Sequence, residues 1–293
     1  MRYSLVANGT LQSPHKPEVS VPWWSFSKTV LAAAALTLVR DGLIRLDDEV
    51  LEGPFTLRQL LQHQAGLADY GELPEYHAAV AQGETPWPAD EMLQRLDANR
   101  LRYAPGSGWR YSNVGYLYVT RLLERLTRLP LADVLEARVF APLDMTAIRL
   151  ATTCADLETV RMGADAGYDP RWVYHGLLVG PLSQAALLLD RLLSGALLPR
   201  ALLDEMHSTL ALGGPIPGRP WTVPGYALGL MIGTVDSGLT LCGHTGSGPN
   251  TVVAIYRSVQ GKHTATCAAF SEGEDQGKVE TQALLQLSQS LLR

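Results

Sequence analysis

The spacing of apolar and polar residues divides the chain into a short strand, a long helical middle and a run of strands at the end. Met1-Arg2-Tyr3-Ser4-Leu5-Val6-Ala7-Asn8-Gly9 reads as a strand closed by an Asn-Gly turn. Residues 10–22 are polar and carry prolines, which fits a loop or a short second strand. The Ala/Leu-rich run between Lys28 and Arg40 is a strong helix former, so a helix is expected from Ser25 to about Arg40, stopped at Asp41-Gly42. A connector runs through Leu43–Val50. Thr56–His63 has helical apolar spacing, with Thr56 as its N-cap, and ends at Ala65-Gly66-Leu67. Residues 68–90 are looser, with Gly, Pro and tyrosines, and are a candidate pocket rim. Helices are expected at about 90–99, 114–128, 131–140, 183–194 and 199–208. Residues 150–180 read as irregular and hold the aromatic cluster Trp172-Val173-Tyr174-His175-Gly176.

From about residue 220 the period shortens to that of strands. Tyr226–Val235, Leu239–Gly243, Thr251–Tyr256 and His263–Phe270 read as four strands, with turns at Asp236-Ser237-Gly238 and Gln260-Gly261. A closing helix is expected over 278–292. There is no internal repeat, low-complexity tract or flexible linker. This order predicts an α+β fold with an antiparallel sheet onto which the N-terminal strand docks. A single domain over 1–293 is expected. Its α/β part would be about 1–22 and 211–293, and its helical part about 23–210.

Charge and composition narrow the partners. The net charge is −5 with acids and bases interspersed, and no basic cluster points to nucleic acid or an anionic membrane surface. The longest apolar run falls far short of the roughly 18 residues of a membrane span. The first residues lack the apolar core of a signal peptide. Cys154, Cys242 and Cys267 show neither metal spacing nor a CxxC motif, so no metal or cofactor is implied. Reduced thiols in a cytoplasmic protein are expected, although a chain trimmed of an export leader reads the same.

Three short motifs carry the candidate chemistry. Ser25 and Lys28 are three residues apart at a helix start, on one face and about one turn apart. A serine hydroxyl needs a nearby base to become a nucleophile, and a lysine depressed by burial or by a second cation can serve or assist. A helix start also offers backbone N–H groups to an oxyanion. The plainer reading is an N-cap serine followed by a solvated lysine. Tyr111-Ser112-Asn113 follows the Pro105-Gly106 turn and precedes a helix. A phenol there can relay a proton, and an amide can hold a carbonyl. Gly243-His244-Thr245-Gly246-Ser247-Gly248 follows a strand, and its glycines let backbone approach a ligand. Plainly read, these two are a helix-leading turn and a glycine-rich hairpin loop.

In this order, Ser25-Phe26-Ser27-Lys28, Tyr111-Ser112-Asn113 and His244-Thr245-Gly246 resemble the three motifs of the serine β-lactamase and penicillin-binding-protein superfamily, in its class C-like branch. The flanks are similar too. Leu60-Leu61-Gln62-His63-Gln64-Ala65-Gly66-Leu67 resembles Leu-Leu-x-His-x-Ser-Gly-Leu, Ala104-Pro105-Gly106 precedes the tyrosine, and Pro142-Leu143-Asp144-Met145-Thr146 resembles Pro-Leu-Gly-Met-Thr. The resemblance implies a β-lactamase-like fold, an antiparallel sheet with flanking terminal helices beside a mostly helical subdomain. It implies an acyl-enzyme on Ser25, activated by Lys28 and Tyr111, with Tyr111 also serving the deacylating water. Asn113 would orient Lys28 and substrate, the backbone N–H groups of Ser25 and Ser247 would form the oxyanion hole, and His244 would complete the catalytic set. Thr245, Gly246, Trp24, Trp172 and His175 are the expected substrate contacts. His63 reads as architectural, and Ser27 and Ser112 as supports.

Two departures matter. His244 stands where Lys is commoner; a neutral imidazole there would weaken carboxylate-bearing substrates relative to neutral esters and amides. Trp24 stands before the nucleophile where a small residue is usual, and would reshape the pocket. The implied activity is that of an esterase, amidase or peptidase on a small-molecule ester, amide or peptide. A true β-lactamase or DD-peptidase, and a non-catalytic binding or sensor module of the same fold, are the alternatives. A metallohydrolase lacks its HExxH, and an α/β-hydrolase its Gly-x-Ser-x-Gly.

Overall fold

Asn8 and Gly9, at φ 48° and 78°, turn strand β1 (Arg2–Ala7) back onto β2 (Thr10–Leu11), as the Asn-Gly pair predicts. The remaining strands are β3 (Ser20–Pro22), β4 (Arg149–Ala151), β5 (Leu177–Pro181), β6 (Leu210–Ala211), β7 (Trp221–Tyr226), β8 (Met231–Val235), β9 (Thr240–Gly248), β10 (Thr251–Gln260) and β11 (His263–Glu272). The helices are α1 (Ser27–Arg40), α2 (Leu57–Leu61), α3 (Pro74–Ala81), α4 (Ala89–Arg95), α5 (Asn113–Thr127), α6 (Leu131–Leu135), α7 (Leu182–Leu193), α8 (Arg200–Met206) and α9 (Gln276–Leu291). This computed structural model describes residues 1–12, 18–163 and 167–292. Residues 13–17 of the expected 10–22 loop, 164–166 of the expected irregular stretch, and Arg293 lie outside the described residues.

The main sheet runs β2-β1-β11-β10-β9-β8-β7-β6, antiparallel at each pairing. The N-terminal strand docks on β11 with Leu5 opposite Cys267. The two faces of the sheet bury different sets of residues, as the period of two requires. Val252, Ala254, Ala265, Cys267 and Ala269 pack with Val279, Ala283 and Leu287 of α9. Val253, Ile255, Ala268 and Phe270 join the larger core, which contains α1, α5 and α7. The fold is therefore α+β and β-lactamase-like: α9 covers one face of the sheet and the helical part covers the other. Helix α7 falls within the stretch expected to be helical subdomain, yet it packs across β1, β10 and β11.

Five expected stretches take a different form. The stretch 226–235 is not one strand but the two strands β7 and β8. Their connecting turn is apolar and buried, so it carries no polar signal; Gly229 N–H donates to Leu61 O (3.1 Å) and Gly229 O accepts from Thr29 Oγ1 (2.7 Å). The expected strand 239–243 runs on to Gly248, so the His-Thr-Gly motif lies in β9 rather than in a turn after it. The loose 68–90 stretch holds α3, opened by Pro74 at its first position. The 150–180 stretch contains β5, the middle of a second sheet ordered β3-β5-β4. Residues 131–140 begin as α6 and finish in a wider π turn over Glu136–Phe140.

Behind β9 lies a buried charge. Glu280 of α9 is fully buried and accepts from Arg219 Nε (2.8 Å) and Nη2, from Trp221 Nε1 (3.2 Å), from Tyr256 OH (3.2 Å) and from Thr245 Oγ1 (2.5 Å). Removing one partner of such a pair strands the other charge in apolar surroundings. Arg219→Ala should therefore cost about 3–5 kcal/mol at pH 7, read as a lower urea midpoint at unchanged slope. An unfolding free energy within about 1 kcal/mol of wild type would show that water already screens the pair.

Candidate active site

Ser25 sits in a single 3-10 turn, Trp24–Phe26, that leads directly into α1. Trp24 has φ +43°, a conformation that costs a bulky residue energy and persists only where its surroundings hold it. The surroundings do so from several sides. Trp24 Nε1 donates to Thr251 Oγ1 (2.9 Å), Trp23 N to Leu178 O (2.8 Å), and Trp23 Nε1 to Gly180 O (3.2 Å). The bend carries Ser25 to the edge of β9. A Cβ on Gly246 would lie 2.7 Å from Ser25 N, and one on Gly248 would lie 2.5 Å from the Trp24 ring. Gly246 therefore lets the strand touch the Ser25 backbone. Expected as a substrate contact, Gly246 instead meets Ser25 backbone and is not among the residues that line the cleft.

The first two motifs meet at Ser25 Oγ, while the third reaches Ser25 only through backbone at Gly246. Tyr111 OH donates to Ser25 Oγ at 2.8 Å and Lys28 Nζ at 3.2 Å. Lys28 is fully buried on α1 and also donates to Asn113 Oδ1 (2.7 Å); its Nζ is 3.1 Å from His175 Nε2. Burial holds the Lys28 amine down at about 7, opposed by the negative charge of Asp69. Burial pushes the Tyr111 phenol above its ordinary range, partly offset by its bond to Ser25. Burial thus makes a neutral lysine accessible near neutral pH and disfavours a tyrosinate.

Asp69 was not read from the sequence. It is a buried acid whose carboxylate accepts from Asn113 N (3.1 Å) and Asn113 Nδ2 (3.0 and 3.2 Å). It fixes the Asn113 amide so that Oδ1 faces Lys28. Its only sequence signal is an acid inside the otherwise apolar run Ala65–Tyr70. His63, expected to be architectural, is buried. Its ring packs 4.3 Å from the Tyr111 ring, and its Nδ1 accepts from Ser112 N (3.2 Å). Ser112 caps α5 by accepting from Gly115 N, and Ser27 Oγ accepts from Leu178 N (3.1 Å). Both are supports.

Three expected contacts are placed elsewhere. His244 is buried: Nδ1–H donates to Thr245 O (2.6 Å) and Nε2 accepts from Tyr226 OH (3.0 Å). It touches neither Ser25 nor the cleft lining, and burial holds it down at about 3, so the ring is neutral. Thr245 points through the sheet to Glu280 and Tyr256, because successive strand side chains alternate. Trp172 is buried behind Tyr76, edge-on to Tyr76 and Trp87, and does not line the cleft. Trp24, Ser25, Asn113, His175 and Ser247 do line it.

The cleft encloses about 910 Å³. Tyr70, Tyr76 and Tyr168 form an aromatic wall, and Gln276 Nε2 donates to Ser247 Oγ (2.9 Å) at the sheet side. Among the described lining residues there is no Lys or Arg, and Glu274 is the sole carboxylate. Among the described residues no cluster of three or more His, Cys, Asp or Glu is placed to hold a metal ion. No described helix is long and apolar enough to cross a membrane.

A serine flanked by a buried lysine and a tyrosine, on an α+β frame with the third motif in the adjoining strand, defines a β-lactamase-like protein. The chain belongs to the Beta-lactamase family, which matches residues 2–271. A D-aminopeptidase of Brucella ovis is 28% identical over 246 residues, covering 79% of this chain and 46% of that protein. The chain thus spans less than half the length of that relative. Among solved structures, a D-stereospecific amidohydrolase from Streptomyces sp. superposes with TM-score 0.79 at 23% identity, covering 97% of this chain and 92% of the other. A D-amino acid amidase from Ochrobactrum anthropi SV3, complexed with L-phenylalanine, gives 0.78 at 20%, covering 99% and 92%.

Because Lys28 must be neutral to accept a proton, the reactivity of Ser25 should rise as pH passes through about 7 and then level off. The check is the rate of covalent labelling by a fluorophosphonate, followed by intact-protein mass spectrometry from pH 5 to 9. A flat profile would remove Lys28 as the base.

Proposed function

We propose that this chain is a serine hydrolase that cleaves small amides or esters through an acyl-enzyme on Ser25, with amino-acid amides as the favoured class. The observation that carries the reading is the convergence on Ser25 Oγ of Tyr111 OH at 2.8 Å and Lys28 Nζ at 3.2 Å. As Ser25 Oγ bonds the substrate carbonyl carbon, its proton passes to neutral Lys28. The developing oxyanion takes hydrogen bonds from the backbone N–H groups of Ser25 and Ser247, which the Gly246 contact brings together. When the tetrahedral species collapses, the proton leaves Lys28 through Tyr111 to the departing amine or alcohol. Water then attacks the acyl-enzyme and gives its proton to the same pair, and Ser25 is released.

The lining supports the substrate class. A carboxylate-bearing substrate meets no Lys or Arg among the described lining residues, whereas a free amine has Glu274 on the cleft wall. The names of the relatives point the same way: a D-aminopeptidase, a D-stereospecific amidohydrolase and a D-amino acid amidase.

Ser25→Ala should abolish covalent labelling and nearly all turnover; full ester hydrolysis by that variant would sink the assignment. Lys28→Ala and Tyr111→Phe should each lower kcat by at least about 10²-fold, with strongly non-additive effects in the double variant. Simple addition of the two losses would separate them into independent roles. Small neutral esters and amino-acid amides should exceed a chromogenic cephalosporin in kcat/KM by roughly tenfold or more, the value of a missing charge-assisted bond. A preference for the cephalosporin would replace this substrate class with that of a β-lactamase.

A further inference from the structure

His175 stands beside the proton machinery with one nitrogen committed and the other not. Its Nε2 is 3.1 Å from Lys28 Nζ, and its ring is buried at the back of the cleft. Thr120 Oγ1 donates to its carbonyl (3.1 Å), which fixes the backbone that carries it. Its Nδ1 is buried without a hydrogen-bond partner among the described residues.

We propose that His175 is a positioning residue for Lys28, the third acceptor of a cradle that receives the lysine as an ammonium ion when Ser25 gives up its proton. This rests on the acyl-enzyme reading above. The argument is a count of donors and acceptors. An ammonium group has three N–H donors and no lone pair, so each neighbour at hydrogen-bond distance must accept. The neighbours are Asn113 Oδ1, Ser25 Oγ and His175 Nε2. Asn113 cannot turn its NH₂ to Lys28, because Asp69 holds that group. Once Lys28 is charged, His175 can contribute only as the tautomer with its proton on Nδ1. In the neutral amine, two N–H bonds to Asn113 and His175 leave the lone pair facing Ser25. The proton step is then balanced: the Ser25 O–H bond breaks, its proton joins the Nζ lone pair, and the oxygen electrons form the bond to carbonyl carbon.

No other described charge makes this third contact. Asp69 acts on Lys28 at longer range, Tyr111 and Tyr116 present ring faces at 5.0 and 5.7 Å, and His63 and His244 are neutral rings held low by burial. His175 is itself held low by burial and by Lys28, so it stays an uncharged acceptor while Lys28 titrates.

The test follows the Lys28 titration directly, by NMR of protein labelled with ¹³C-lysine, alongside the pH profile of fluorophosphonate labelling. His175→Phe keeps a ring and removes the acceptor. The Lys28 midpoint should fall by roughly one to two pH units, the worth of one hydrogen bond to a charged group. The acid limb of Ser25 labelling should move down with it, and the plateau rate should drop. His175→Gln, which can place an oxygen where Nε2 stood, should restore midpoint and rate. His175→Asn, whose oxygen falls short, should not. The Gln and Asn pair carries the test if the Phe variant fails to fold. A midpoint unchanged in folded His175→Phe, or alike in Gln and Asn, overturns the proposal and leaves His175 as packing. A shifted midpoint in a protein whose Ser25 never labels would uphold the contact and refute the acyl-enzyme reading instead.

Discussion

A primary amine fully buried from solvent is the constraint on which this site depends. Lys28 lies on α1, which is buried from Ser27 to Leu38. An ammonium left unsolvated there would cost several kcal/mol. The fold meets the constraint in two ways. It lets the amine lose its proton near neutral pH, and it surrounds Nζ with polar atoms from three separate segments. Those segments are the nucleophile turn, the start of α5 and the strand-leading loop before β5. Their common need to reach Lys28 ties the helical part together around one atom.

The second constraint is steric and belongs to the backbone. A tryptophan before the nucleophile is an unusual choice, and here it is also held in a left-handed conformation. The indole then covers β9 so closely that position 248 has no room for a side chain. Trp24 and Gly248 are therefore one feature written at two distant places. The same close approach at Gly246 presses the strand against Ser25. Hydrogen bonds from Trp23 and Trp24 to β5, the second sheet and β10 hold the bend.

The sequence was most legible where one residue type has one physical use. The Asn8-Gly9 turn, the Thr56 N-cap, α5 and the serine-lysine spacing were all visible, because propensity and periodicity act over a few neighbours. It was least legible where tertiary partners replace local signals. The Ala227–Leu230 turn hides in apolar sequence because distant groups satisfy its backbone. Asp69 carries no motif, since its value lies in orienting an amide that is 44 positions away. Trp172 and His175 are three residues apart in one aromatic cluster, yet only the histidine reaches the cleft, because the turn between Pro170 and Gly176 sends their rings in different directions. No spacing rule separates them.

The strand pleat explains why the third motif behaves as it does. Along β9, His244 and Gly246 face the helical part, while Thr245 faces α9. Thr245 binds the carboxylate of Glu280 and so anchors the strand from behind. His244 spends both ring nitrogens on Tyr226 and on backbone, so it sets the lie of the strand rather than the charge of the cleft. What the motif presents to Ser25 is therefore backbone, through a glycine that lets it come close. A lysine at 244 would have to displace that imidazole from two satisfied hydrogen bonds and bring a charge into a buried place. The neutral histidine is compatible with the close approach of the strand to Ser25, and the cleft is left without a cation on that side. The way the strand is held thus explains why position 244 brings no cation to the cleft, whose described lining holds Glu274 and no Lys or Arg.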